Sequence, residues 1–213
     1  MKKYLFISFL LMAIIASPLY ATPLYYTNES DFQTAASGSG IVLSSPESFE
    51  SGSLPTFGNV SISGVDFLGL INNTDYATAG SISVGWRAPV NDPLSGYIRF
   101  TFSSPINAFG IDIVDLGTEG ATTLSVAIGS NSPEILFDGV TGARYNQRFG
   151  GVIDTINPFT SVEFTNTAAG DAISFDRLQT GTSGVIPEPT TMLLFGSGLI
   201  GLAGFKRRLR NNR

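Results

Sequence analysis

Tyr97-Ile98-Arg99-Phe100-Thr101-Phe102 decides how the chain folds. Ile98, Phe100 and Phe102 alternate with Tyr97, Arg99 and Thr101. Successive side chains of a strand point to opposite faces, so this period of two gives one apolar and one polar face. The pattern recurs outward in both directions. Phe109, Ile111 and Ile113 alternate with Gly110 and Asp112, and Leu124, Val126 and Ile128 with Ser125 and Ala127. Val162 and Phe164 flank Glu163, and Ile173 and Phe175 flank Ser174. Further strands are expected at 41–44, 60–68, 82–85, 134–138 and 148–153. Gly, Pro, Asn and Ser separate these segments, as turns require. The expected fold is all-β, an antiparallel, jelly-roll-like β-sandwich of about 8–10 short strands.

One short helix is expected near the start. Ser30 and Gln33 have capping-box spacing, Phe32, Ala35 and Ala36 form an apolar face, and Gly38-Ser39-Gly40 ends it. The chain has no evident internal repeat.

Both termini differ from this middle. Lys2 and Lys3 precede an uncharged apolar run from Tyr4 to Ala16, and Ser17 to Ala21 supplies a turn and small residues. This is the layout of a cleaved export signal over 1–21, with the cut expected after Ala21. A retained anchor is the alternative reading. No cysteine follows the apolar run, which excludes lipoprotein attachment.

At the other end, Pro187-Glu188-Pro189 leads into an apolar run over 190–205 and a basic cluster of Lys206, Arg207, Arg208, Arg210 and Arg213. As a helix the run would be about 24 Å long at ~1.5 Å per residue, short against a bilayer core of ~30 Å. Lys206 and Arg207 would have to snorkel to the interface. Gly196, Gly198, Gly201 and Gly204 weaken it further. A membrane segment that resides only transiently is expected. The basic cluster stays on the cytoplasmic side, which leaves the middle of the chain outside. Proline fixes φ and pushes the preceding residue towards extended geometry, so Glu188 is displayed on an extended stretch. A membrane enzyme could read that carboxylate, or the tripeptide could be the stalk of a simple anchor. Physics alone leaves both open.

Between the termini, 22–179 is expected to be one folded domain and 180–186 a flexible linker. Sixteen acids against five arginines leave residues 22–184 at −11, with no lysine. Nucleic acid and anionic membrane surfaces are unsuitable partners for such a surface. The whole chain lacks His and Cys. That excludes a Ser-His-Asp triad, Cys/His zinc sites and haem ligation by histidine. Any catalysis would fall to carboxylates, Tyr or Arg. Without His or Cys, stability is expected to be nearly flat between about pH 6 and 8.

The tail resembles the PEP-CTERM sorting signal of Gram-negative bacteria. The likeness rests on Val185-Ile186-Pro187-Glu188-Pro189, Leu193-Leu194, the run Gly196 to Gly204 and the closing arginines, together and in order. It covers about the last 29 residues. The resemblance implies recognition and processing by an exosortase, an integral-membrane cysteine enzyme that supplies the nucleophile. It also implies export through the inner membrane by the general secretion machinery and a transient membrane stage. Arrival at the cell surface or outside follows, in a setting of exopolysaccharide and biofilm. The segments 108–112, 149–152 and 175–178 resemble passenger domains that accompany such tails. They imply a lectin-like or carbohydrate-module-like sandwich without an assigned activity.

Three sites are candidates within the exported domain. Glu47, Glu50 and Asp176 are candidate ligands for a structural calcium ion, because first and last strands of a jelly roll often lie side by side. The alternative is that these acids face water or pair with an arginine such as Arg177. Trp86, with Arg87 and Tyr145, is a candidate sugar platform, stacking a C–H face while polar groups meet hydroxyls. Tyr76, Tyr97 and Asp92 are further members, and the alternative is that Trp86 is core. Asp112, Asp115 and Glu163 are the acids from which a carboxylate-dependent glycan hydrolase would be built. Such pairs arise by chance in any acidic sandwich, so the expectation is no enzyme. The passenger is expected to be a structural or adhesive matrix component, with a glycan-binding module as the alternative.

Overall fold

A computed structural model of the chain describes residues 22–50, 56, 57, 59–91, 96–184 and 197. The expected export signal, Asp92, the tripeptide 187–189 and the basic cluster lie outside the described residues, as does all of 190–205 except Ser197.

The described chain runs β1 (Leu24–Tyr26), α1 (Glu29–Gly38), β2 (Ile41–Leu43), β3 (Thr56–Phe57), β4 (Val60–Gly64), β5 (Phe67–Asn72) and a single 3-10 turn (Thr74–Tyr76). It continues through β6 (Ile82–Arg87), β7 (Ile98–Ile106), β8 (Ala108–Val114) and β9 (Thr122–Ile128). The last strands are β10 (Glu134–Val140), β11 (Gln147–Ile153), β12 (Phe159–Asn166) and β13 (Ala172–Ser183). One sheet has seven strands in the order β1-β11-β8-β13-β6-β5, with β2 added to β13. The other has six, in the order β10-β9-β12-β7-β4-β3. All the strand pairings are antiparallel. The two sheets form a sandwich, as the alternation of Ile98, Phe100 and Phe102 requires.

The apolar faces meet in one core. Phe100 and Phe164 of the six-stranded sheet lie against Phe109 and Phe175 of the other, with ring centroids 5.6 Å apart for Phe100–Phe109 and 5.1 Å for Phe164–Phe175. Tilted ring contacts at such spacing add to the roughly 1.5–3 kcal/mol that full burial of each large side chain contributes. A second, smaller core lies on the outer face of the seven-stranded sheet. There Phe32 and Ala36 of α1 cover Ile41, Ala108, Phe149 and Ile153.

Three local expectations are corrected. The cap is Asn28 and not Ser30, so the helix begins earlier than expected; the Asn28 side chain accepts from Asp31 N at 3.1 Å. Gln33 instead donates to Glu29 at 3.1 Å. The segment 60–68 is two strands. Asp66 takes a left-handed φ of 57°, and the chain passes there from the six-stranded sheet to the seven-stranded one. Asp tolerates that conformation better than most residues, which lets a two-residue connection turn so sharply.

The third correction concerns 180–186. Thr180 to Ser183 are the end of β13 and not a linker. Gly181 pairs with Leu43 on one side and Ala108 on the other. Ser183 N and Oγ both donate to Asn107 Oδ1 at 3.0 Å. The small residues that suggest a linker serve close packing instead. A Cβ on Gly181 would come within 2.6 Å of Ile41 and 2.8 Å of Leu43.

Candidate functional site

A cleft opens where α1 meets the edge of the sandwich. β1 is only three residues long and pairs with Gly151 to Ile153, so the first half of the seven-residue β11 extends past it. The chain leaves β1 through Thr27 and Asn28 and enters α1 at Glu29. Phe137 of β10 closes the opposite side, and the resulting cleft holds about 560 Å³. Asp112 and Arg177 form part of its wall, with Gln147, Arg148 and Phe149 of β11.

Arg177 is placed by a defect in β13. The register shifts between Asp176 and Gln179, and Arg177 takes a left-handed φ of 49°. Such a backbone costs on the order of 1 kcal/mol or more for a side chain of this size and needs support from its surroundings. The support is ionic. Its Nη2 donates to Glu29 Oε1 at 2.9 Å and its Nη1 to Asp112 Oδ2 at 3.0 Å. Gln179 Nε2 also donates to Glu29 Oε1 at 2.6 Å. Burial alone would lower the Arg177 pKa, but the charges of Asp112 and Glu29 outweigh it and hold it above the ordinary value. Burial is also the main effect on Asp112 and raises its carboxyl pKa, against the opposing pull of Thr78 and Arg177.

Arg148 is in a different state. Its guanidinium sits 5.7 Å from the centroid of the Phe137 ring. Its Nε is buried without a hydrogen-bond acceptor, and no carboxylate lies within ion-pair range of it among the described residues. Arg148 pairs with Ile113 and so projects from the sandwich-facing side of β11, whereas Asp112, paired with Phe149, and its partner Arg177 lie on the face that α1 covers. The two arginines reach the cleft from opposite faces of the sheet, one ion-paired and the other not.

Two of the three calcium candidates reach a common loop. β2 runs beside β13, and Glu47 is bridged to Leu178. Asp176 and Glu50 both reach the loop that follows the 3-10 turn. Asp176 Oδ2 accepts from Thr78 N and Ala79 N, each at 2.7 Å, and Glu50 Oε1 accepts from Ser81 N and Ile82 N, each at 2.7 Å. Glu47 Oε1 accepts from Phe49 N at 2.9 Å. These carboxylates bind backbone N–H groups, and no group of three or more acids is placed to hold a metal ion among the described residues.

The sugar-platform candidates do not converge. Trp86 is fully buried in the core, and its Nε1 donates to Val65 O at 2.8 Å. A ring with no exposed face cannot stack on a sugar, which overturns that role for Trp86. The strand expected at 82–85 runs on to Arg87, which puts Trp86 on the face of Val84 and leaves Arg87 exposed. Tyr145, 39 % exposed, lies edge-on to Tyr76 with centroids 5.2 Å apart, and its N–H donates to Asp115 Oδ1 at 2.8 Å. Tyr97 lies 5.1 Å beneath the Arg99 guanidinium.

The candidate catalytic acids are also separated. Glu163 accepts from Arg99 Nε at 2.8 Å on the outer face of the six-stranded sheet, and Asp112 serves Arg177 on the outer face of the other. Within the cleft, Glu29 and Asp112 are both bound to Arg177, which leaves neither free as a general base. Arg148, Arg177 and Glu29 are the members that sequence reasoning missed as a site. One signal was present: after Ile173 and Phe175, the next apolar residue is Leu178 rather than position 177. That offset by one marks the bulge.

Residues 185–208 match the PEP-CTERM protein-sorting motif. The chain carries this sorting signal directly after Gly184, the residue that follows β13. No described helix is long and apolar enough to cross a membrane. No curated protein matches the chain. Among solved structures, similarity extends to a family 29 carbohydrate-binding module complexed with cellulohexaose: 13 % identity, a TM-score of 0.43, and coverage of 67 % of this chain and 92 % of that one. A module complexed with β-1,4-galactotriose matches at 15 % identity and TM-score 0.40, over 65 % of this chain and 95 % of the other. An adhesin domain of Lys-gingipain from Porphyromonas gingivalis matches at 17 % identity and TM-score 0.40, over 67 % and 99 %. Likeness at this level assigns neither a ligand nor a residue role to this chain.

Proposed function

We propose that this is an exported, surface-sorted protein whose tail is processed by an exosortase and whose sandwich is a structural or adhesive component of an extracellular polysaccharide matrix. One observation carries the reading: the sorting motif at 185–208 adjoins a sandwich whose last strand stays paired as far as Ser183. The folded part is thus cargo, and the tail is its address. Pro187, Glu188 and Pro189 form the recognised element, and Lys206, Arg207, Arg208 and Arg210 hold the tail end on the cytoplasmic side. The sandwich acts by being displayed, without catalysis of its own.

The test is Glu188→Ala in the native host. The variant is expected to accumulate unprocessed in the membrane fraction and to be depleted from the surface. Normal processing and surface arrival would defeat the assignment.

A second reading, binding of matrix polysaccharide by the sandwich, is favoured by the cleft between α1 and β11. There an uncompensated arginine lies among polar side chains of both hydrogen-bonding senses.

A further inference from the structure

Residues 22–184 contain five arginines against sixteen acids, and two of the five, Arg148 and Arg177, line the same cleft. Arg177 is already neutralised by Glu29 and Asp112. Arg148 is not. An aromatic face attracts a guanidinium through its π cloud but accepts none of its N–H donors in the plane. Its Nε is closed off from solvent, but no ion pair occupies the outer N–H groups of the guanidinium, which are left for an incoming acceptor. The acceptor that best fits a guanidinium fork is a carboxylate, bound through two parallel hydrogen bonds.

The rest of the lining narrows the ligand. Glu29 and Asp112 carry negative charge in the same cleft, which opposes a doubly charged phosphate. They also accept hydrogen bonds, which suits a ligand with several hydroxyls. Asn28 and Gln147 add groups that both donate and accept. The volume of about 560 Å³ falls within the ordinary range for small-ligand sites.

We propose that the cleft binds a uronate residue of an acidic polysaccharide, with Arg148 taking the carboxylate and Asn28, Glu29 and Gln147 meeting the ring hydroxyls. The excess of acids elsewhere on the domain does not prevent this. Exposed charges more than about 8 Å away are largely screened at physiological salt, so the nearest guanidinium governs the carboxylate. The inference rests on the reading that the sandwich works among extracellular polysaccharides.

The test is calorimetric titration of the purified full chain, in detergent, with tetragalacturonate and with tetraguluronate. Galactotetraose, which lacks the carboxylates, and inorganic phosphate are the controls. At least one uronate is expected to bind at least tenfold more tightly than galactotetraose, and phosphate to bind more weakly than that uronate. Arg148→Gln should weaken uronate binding tenfold or more, Arg148→Lys less, and Arg87→Gln not at all. Melting temperature reports whether each variant is folded; if Arg148→Gln is not, Arg148→Lys alone decides, through a loss confined to the uronate. Equal binding of galactotetraose, tighter binding of phosphate, an undiminished Arg148 variant, or no heat with either uronate would each overturn the proposal. The titration uses isolated protein, so its failure is distinct from failure of the sorting assignment, which Glu188→Ala addresses in cells.

Discussion

Gly110 and Gly151 stand opposite each other across β8 and β11, and the Phe32 ring of α1 lies on both. A Cβ on Gly151 would come within 2.8 Å of Phe32 Cδ2, and one on Gly110 within 2.9 Å of Phe32 Cε1. The glycine pair is therefore the floor on which the helix docks, and the helix docks where one wall of the cleft begins. Gly151→Ala is expected to destabilise the domain by about 1–3 kcal/mol through overpacking, less roughly 0.5 kcal/mol recovered from reduced freedom of the unfolded chain. Urea denaturation measures this. Unchanged or increased stability would show that Phe32 can move aside freely.

Arg177 holds Glu29 of α1 to Asp112 of β8 from a left-handed position in a bulge. Its replacement by alanine removes the cation that binds two partly buried carboxylates. Burying such groups without a partner is strongly unfavourable, but the residual exposure at this site moderates the effect. A loss of about 1–3 kcal/mol is expected for Arg177→Ala. A double-mutant cycle with Glu29→Gln should show coupling between the two positions. Additive losses would mean that the ion pair contributes nothing.

Acid pH should stabilise the fold through two particular groups. Burial raises the carboxyl pKa of both Asp112 and Asp115 above the ordinary value of 3.8. From pH 3.8 upward, the unfolded chain releases these protons while the folded state still holds them. The contribution of these groups to stability is thus fully present below 3.8 and is lost as pH rises through the folded pKa. Asp112→Asn removes its share. As pH rises from 4, wild-type melting temperature should fall relative to that of the variant. A constant or oppositely changing difference would contradict the burial argument. Between about pH 6 and 8, the absence of His and Cys should leave the profile nearly flat.

The sorting tripeptide is tied closely to the sandwich. Only Gly184, Val185 and Ile186 separate Ser183 from Pro187. Fully extended residues span at most ~3.3–3.6 Å each, so the tripeptide begins within roughly 15 Å of a strand end hydrogen-bonded to Asn107. On the proposed reading, a processing enzyme must approach the folded domain itself. Insertion of six Gly/Ser residues after Gly184 is expected to speed processing in the native host, followed by pulse-chase. An unchanged rate would show that this distance is not limiting.

Much of this architecture was legible residue by residue. In β7, β9 and β12 the alternation assigned the faces correctly, because one face of each is buried and the other is not; β8 is buried on both faces, with Gly110 beneath Phe32 of α1. The same logic, carried from 82–85 on to Trp86, puts that ring on the buried face of Val84, whereas its amphipathic ring singled it out as a candidate sugar platform. Local chemistry was read less well where tertiary contacts decide it. Thr180 to Ser183 has linker composition but is held on both sides by β2 and β8. Asn28 won the helix cap over Ser30 because the chain leaves β1 at Tyr26 and must turn at once. The cleft was not legible, since Glu29, Asp112, Arg148 and Arg177 come from four distant segments. Only the interrupted alternation at Arg177 hinted at it.

The most direct test of the account is the intact mass of the protein recovered from the surface or extracellular fraction of the native host. The expected species lacks the N-terminal signal and the basic, apolar tail and has its C-terminus at or near 187–189, while the precursor remains in the membrane. A surface-located protein that still carries residues 190–213 would contradict it.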